Sequence, residues 1–259
     1  MLLALDVGNT ETTVGLFRGD RLEAHWRLTT TPHRTPDEWA AALTAYLTQA
    51  GRSTQEVRAA VVASVAPPVT SALCEGIERA TTMHPATVDA RSPLPIRLDV
   101  DEPLTVGADR IVNTLAASQL FKRDTVVVDF GTATTFDCIT ADGRFIGGVI
   151  MPGIRTASDE LVRRAAKLPA TELTPPARVI GRRTEDCIRA GVLLGTAEAV
   201  DGILRRIKAE WPDGAEPLVV ATGGLAGLVT PLTREIEAVH PDLTLTGLRI
   251  AAGFLGLRW

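Results

Sequence analysis

Lysine is scarce in this sequence. Only Lys122, Lys167 and Lys208 stand among 27 basic residues, and none of them follows a glycine. The G-x-x-x-x-G-K-[ST] phosphate loop is therefore absent, and any ATP chemistry needs another kind of site. Cysteine is equally sparse. Cys74, Cys138 and Cys187 lie far apart, with no C-x-x-C and no Cys/His cluster. No zinc site is legible, and an odd, low count fits a reducing compartment. A basic excess is missing too. The net charge of −4 and a pI near 5.6 argue against a general nucleic-acid binder. They exclude no anionic small molecule, because a site can be polarised locally. No run approaches the roughly 18 apolar residues of a membrane span. Asp6 breaks the first apolar run too early for a signal peptide. The expectation is a soluble, cytoplasmic protein with no nucleic-acid or membrane partner. Serine-nucleophile motifs such as G-x-S-x-G are absent. The four histidines (His25, His33, His84 and His240) are scattered and read as surface residues.

What is present is a globular composition, 45% hydrophobic and 22% charged, which excludes a fibre or a disordered chain. At about 150 residues per domain, 259 residues make one large domain or two small ones. The pattern is α/β. Leu2 to Leu5, Thr12 to Phe17 and His25 to Thr29 read as three antiparallel strands, with a turn at Arg18-Gly19-Asp20-Arg21. Thr35-Pro36-Asp37-Glu38 is a capping box with proline in the first turn. Trp39, Leu43, Tyr46, Leu47 and Ala50 follow at helical spacing, and Gly51 ends the helix. Ala59 to Val65 reads as a central parallel strand, and helical pattern follows to about residue 90. Residues 91–106 read as a connecting loop, and Ala108 to Phe121 as a helix.

The pattern then restarts. Thr125 to Val128, Thr135 to Ile139 and Arg144 to Ile150 repeat the three strands, and a helix begins near Ile154. Thr184 reads as the N-cap of a long helix to about Lys208. Leu218 to Ala221 is a strand, Leu225 to Val239 a helix, and a short strand near Leu248 precedes a last helical turn. The openings LALDVGNTETTVG and VVVDFGTATTFDC align, with Asp129, Gly131 and Thr135 each 123 residues after Asp6, Gly8 and Thr12. This points to a duplication, with halves at 1–118 and 119–259.

An apolar strand ending in D-x-G has a physical use. Gly8 lets the chain turn tightly, and the amides of Asn9, Thr10 and Glu11 can then face an anion. Asp6 can hold Mg²⁺ through water. Asp129, Gly131, Thr132, Thr134 and Thr135 offer a second copy. Two such hairpins facing each other suit a nucleotide polyphosphate with a metal ion. Thr222-Gly223-Gly224 is either a plain turn or a close backbone approach to a flat ligand such as adenosine. Asp109 in Gly107-Ala108-Asp109-Arg110 either complements the helix dipole or accepts a proton from a hydroxyl nucleophile. Arg110 can bind a carboxylate in bidentate fashion, and the helix start at Thr184 can attract one.

Six segments together resemble the type III pantothenate kinase family. They are DVGNTETTVGLF at 6–17, GADRIVN at 107–113, DFGTATTFD at 129–137, GGVIMPGI at 147–154, GRRTEDCIRAG at 181–191 and ATGGLA at 221–226. The resemblance covers essentially the whole chain. It implies two RNase H-like domains of the acetate kinase, Hsp70 and actin superfamily, with mixed sheets flanked by helices. It implies ATP-dependent phosphorylation of pantothenate to 4'-phosphopantothenate, the first step towards coenzyme A, with Mg²⁺ and K⁺ or NH₄⁺. Asp6, Val7, Gly8, Asn9, Thr10, Glu11, Thr12 and Thr13 would form the first ATP motif. Thr132 would contact ATP and Asp129 would hold the monovalent cation. Gly107, Ala108, Asp109 and Arg110 would line the pantothenate site, with Asp109 as proton acceptor and Thr184 as a further contact. Members are usually homodimers. One departure is Val100, where relatives often carry a tyrosine that contacts pantothenate. The rival readings are another kinase or exopolyphosphatase of the same superfamily, and a nucleotide-binding regulator without catalysis.

Overall fold

The computed structural model describes residues 1–212 and 214–259. It contains two compact units, one of Met1–Leu120 with Leu243–Trp259 and the other of Phe121–Asp242.

In the first unit, β1 (Leu2–Val7), β2 (Glu11–Arg18) and β3 (Arg21–Thr29) form an antiparallel meander. After α1 (Pro36–Gln49), β4 (Ala59–Ser64) pairs parallel with β1. After α2 (Pro67–Thr81), β5 (Ala86–Val88) pairs parallel with β4. The sheet order is therefore β3-β2-β1-β4-β5. The expected start of α1 is present in full. The Thr35 hydroxyl accepts from the Glu38 amide at 3.3 Å, and the Glu38 carboxylate accepts from the Thr35 amide at 2.7 Å. The expected helical stretch to about residue 90 ends earlier, at Thr82, whose φ of 61° is left-handed. The loop at 91–106 contains a two-residue strand, β6 (Arg97–Leu98).

Alternation along β1 and β4 sends side chains to both faces of this sheet. One face packs Leu3, Leu5, Ala60 and Val62 against Trp39, Leu43, Leu73 and Ile77 of α1 and α2. The other packs Leu2, Ala4, Val61 and Ala63 against α3 (Ala108–Phe121) and α8 (Leu243–Phe254). A strand near Leu248 was expected where α8 stands. Leu245, Leu248, Ala251 and Ala252 instead form a helical stripe buried on this face. The Thr244 hydroxyl also donates to the Asn113 amide oxygen of α3 at 2.9 Å. The last segment therefore packs with the first unit, although it follows the second in sequence.

The second unit repeats the sheet. The strands β7 (Thr125–Phe130), β8 (Ala133–Ile139) and β9 (Arg144–Pro152) form the meander. The strand β10 (Leu218–Thr222) runs parallel to β7, and β11 (Ala238–Val239) parallel to β10. Both meanders carry a bulge at matching places, between Leu16 and Phe17 and between Cys138 and Ile139. One face of this sheet packs Val126, Val128, Phe136, Val219 and Ala221 against α4 (Ile154–Arg164) and α6 (Gly195–Glu210).

Two expectations in this unit are corrected. The helix expected over Leu225 to Val239 is only α7 (Ala226–Val229), with a 3₁₀ turn at Thr230–Leu232. Pro231 lacks the amide a helix needs. The buried Asp201 carboxylate also accepts from the Arg234 and Glu235 amides at 3.0 and 3.1 Å, fixing a non-helical path into β11. The long helix after residue 183 is α5 (Thr184–Arg189), a π turn at Ala190–Leu194 and α6. Its N-cap is Arg183, with no side-chain cap bond, so Thr184 is the first helical residue and not the cap.

Candidate active site

Each unit places its D-x-G hairpin at the carboxyl end of its first strand. In the first unit the Gly8 amide donates to the Glu11 carbonyl at 3.0 Å, closing the turn. Asn9, Thr10 and Glu11 are exposed on it. Asp6 pairs with Thr13 and Val7 with the buried Thr12. The turn is tied to the end of β3, because the Thr30 amide donates to the Thr10 carbonyl at 2.8 Å. The Thr12 and Thr30 hydroxyls also lie 2.9 Å apart in a hydrogen bond. A rigid turn with an exposed crest is the preorganised donor set that a phosphate chain requires.

The same end of this sheet carries the Gly107–Arg110 segment. The Val65 amide donates to the Val7 carbonyl at 3.0 Å. A Cβ on Gly107 would stand 3.2 Å from Val65 and 2.5 Å from Asp109 Oδ1. Asp109, in the first turn of α3, is thus held near the first hairpin. Burial pushes its carboxyl above the usual carboxylate range, opposed by the Arg110 amide, which donates to Oδ1 at 2.8 Å, and by the Arg110 charge. A carboxylate starved of water is a stronger base than a solvated one.

In the second unit the Gly131 amide donates to the Ala133 carbonyl at 3.0 Å, so this turn is one residue shorter. The register changes with it. Asp129 pairs with Thr135 and Phe130 with the buried Thr134. The partner of Thr12 is therefore Thr134, and not the Thr135 that a fixed offset of 123 selects. Thr132 is exposed on the turn, and its carbonyl accepts from the Gly153 amide at 3.1 Å and the Thr156 hydroxyl at 2.7 Å. Gly153 is packed so closely that a Cβ would meet the Thr132 and Gly131 carbonyls at 2.3 and 2.4 Å. Gly223 lies beside Asp129 with φ of 92°, where a Cβ would stand 2.4 Å from Asp129 Oδ1. Gly224 is exposed next to it. Gly223 thus packs against Asp129 and Phe130 where no side chain fits, and Asp129, Thr132, Gly223 and Gly224 share one end of the second sheet.

Thr184 is exposed at the start of α5 and lines a mostly apolar cavity of about 560 Å³ with Ala157, Leu161, Cys187 and Val192. Val100, where a tyrosine was the family expectation, lies between β6 and α3. Among the described residues no group of three or more His, Cys, Asp or Glu gathers to hold a metal. A single carboxylate beside an exposed turn, as at Asp6, fits Mg²⁺, which takes few protein ligands and completes its shell with water and phosphate oxygens. Sequence reasoning named the hairpins and the Thr222-Gly223-Gly224 turn but gave no role to Thr30, to Gly153 or to the Thr222 hydroxyl. The last two stand inside quoted motifs; Thr30 carries no local signal.

The strand orders β3-β2-β1-β4-β5 and β9-β8-β7-β10-β11 match, with helices packed on each sheet, and solved structures share this fold over nearly the whole chain. The activator of 2-hydroxyisocaproyl-CoA dehydratase from Clostridium difficile, solved with bound ADPNP, is 15% identical with a TM-score of 0.57, covering 99% of this chain and 93% of that one. A ROK hexokinase from Thermus thermophilus is 15% identical with a TM-score of 0.51, covering 96% and 97%. The fold is that of the actin-like ATPases and sugar kinases.

Sequence comparison is more specific. The family model for type III pantothenate kinase matches residues 2–206. The type III pantothenate kinase of Thermomicrobium roseum is 45% identical over 251 residues, 97% of this chain and 96% of that protein. That of Moorella thermoacetica is 45% identical over 252 residues, 96% and 98%. The chain belongs to the type III pantothenate kinase family, phosphotransferases with an alcohol group as acceptor.

Proposed function

We propose that this member of the family phosphorylates the primary hydroxyl of pantothenate with ATP. The observation that carries the reading is Asp109, a desolvated carboxylate held near the first phosphate-binding turn. Asp109 accepts the proton of the pantothenate hydroxyl. The hydroxyl oxygen forms a bond to the γ-phosphorus while the bond from that phosphorus to the β–γ bridging oxygen breaks, and ADP leaves with that electron pair. Arg110 pairs with the pantothenate carboxylate and fixes the hydroxyl against Asp109. Gly107 and Ala108 line the same site, and Thr184 supplies a further contact.

Asp6 to Thr13 present backbone amides and hydroxyls to the phosphates. Thr132 contacts the nucleotide from the second hairpin, and Gly223 and Gly224 let the adenosine approach the backbone. Asp6 would hold Mg²⁺ through water, and Asp129 a monovalent cation, K⁺ or NH₄⁺. These ions supply positive charge that neutralises the phosphates as charge moves to the leaving oxygen. The working form is a cytoplasmic homodimer. Among the described residues no helix is long and apolar enough to cross a membrane.

A coupled assay of ADP release with purified chain, Mg²⁺ and K⁺ tests the reading. ADP release that requires pantothenate, and that sugars or polyphosphate do not replace, is expected. ATP consumption indifferent to pantothenate would overturn it.

A further inference from the structure

The two aspartates of the D-x-G hairpins have different neighbours across the sheet. Asp6 stands opposite Ala63 in the ladder of β1 with β4. Asp129 stands opposite Thr222 in the ladder of β7 with β10. Residues opposed in a parallel pair project to the same face, so Thr222 and Asp129 share one. Asp129 Oδ1 also lies against the Gly223 backbone, at the end of the strand that carries Thr222. Thr222 is fully buried, and its hydroxyl has no hydrogen-bond partner. A buried hydroxyl left unpaired is costly, and native proteins carry few of them. Valine would fill the same strand position without that cost. A hydroxyl here is accounted for if its partner arrives as a ligand.

The neighbouring groups restrict what that ligand is. Across the sheet the carboxylate is flanked by two neutral hydroxyl residues, Thr222 on β10 and Thr135 on β8, and no gathering of acids is found among the described residues. Calcium-type sites collect several charged or bidentate oxygens. Neutral oxygens, by contrast, can replace the hydration shell of K⁺. We propose that Thr222 is a ligand of the monovalent cation assigned to Asp129, placing a neutral oxygen beside the carboxylate. The proposal rests on that assignment. Ala63 has no side-chain oxygen, so the first hairpin has no counterpart of this ligand beside Asp6.

The test uses the full chain without nucleotide, melted across a K⁺ titration at constant ionic strength, with Tl⁺ binding followed by NMR as a second readout. Wild type melts higher as K⁺ rises, because a ligand of the folded state stabilises it. In K⁺-free buffer Thr222→Val melts above wild type, having lost an unpaired buried hydroxyl. Its half-saturating K⁺ rises about tenfold, while Thr222→Ser stays within roughly twofold of wild type. Thr222→Ala, with less bulk, gives the same K⁺ shift if the valine variant does not fold. Asp129→Asn loses the K⁺ response. If Asp129→Asn loses it while Thr222→Val and Thr222→Ala titrate like wild type, Thr222 is no ligand and the Asp129 site stands. If wild type does not respond, or Asp129→Asn responds like it, the Asp129 assignment fails and the proposal fails with it.

Discussion

The first and second hairpins are the same piece of architecture put to different uses. The strands β1 and β7 have identical burial along their six residues, and the meanders match down to the bulge. The buried threonine that follows each turn is also retained, as Thr12 and Thr134. Its surroundings are not. Thr12 finds the Thr30 hydroxyl, whereas Thr134 has no partner, and Gly153 ends its meander where Thr30 ends the first. The reason lies in the next element. Gly153 is the N-cap of α4, seated directly on the second turn, and that contact leaves no space for a side chain. The first turn is braced by a strand end, the second by a helix start. The repeat thus preserves the sheet, and the two halves differ where the chain leaves it. Asp109 enters beside the first hairpin, and on the parallel neighbour strand a hydroxyl faces the aspartate only at the second, where Thr222 stands in place of Ala63.

The comparison breaks first at the base. Asp109→Asn is expected to lower turnover by about a hundredfold or more with unchanged circular dichroism. Near-normal turnover would remove the chemical distinction between the units. The same variant should melt higher than wild type at neutral pH. Burial raises the folded-state pKa of Asp109 above its unfolded value, so wild type loses stability as pH rises through that window. The advantage of the asparagine variant should therefore shrink in acid, and an advantage that grows in acid contradicts the assignment.

The acid limb of the rate profile sharpens the same point. Below the raised pKa of Asp109, turnover should fall about tenfold per pH unit. That limb should lie above the value near 3.9 of a free aspartate. A limb at or below it means that the base is another group.

Gly153→Ala tests the helix seat and should cost roughly 1–3 kcal/mol in urea unfolding, since two carbonyls must move. An unchanged midpoint would show that the second turn is not tightly braced. The smallest effect compares the two threonines. Thr12→Val leaves the Thr30 hydroxyl without its partner and should cost about 1 kcal/mol. Thr134→Val removes an orphan and should be neutral or stabilising. Equal losses at both positions would mean that Thr134 has a partner after all.

Much of this molecule was legible locally. The three-strand openings, the Thr35 capping box and the D-x-G turns follow from residues within a few positions of each other. So did Asp109 as a candidate base, because a short acidic segment opening a helix is a local pattern. The segments at 225–239 and 243–254 were misread because distant groups decide them. Asp201 holds the first out of a helix, and the face of the first sheet makes a helix of the second. The fixed offset of 123 residues likewise failed by one past the turn. Only strand register tells that Thr134 occupies the place of Thr12.

The shortage of lysine was the sequence's own statement. It excluded one kind of ATP site, and the paired D-x-G strands pointed to another built from amides, hydroxyls and carboxylates. Sequence determined these elements because turns, caps and alternation are short-range physics. Tertiary structure alone decided that Asp109 is desolvated, that α8 returns to the first sheet, and that Thr222 is buried without a partner opposite Asp129. Desolvation, packing and cross-strand pairing depend on residues far apart in the chain, and no local pattern encodes them.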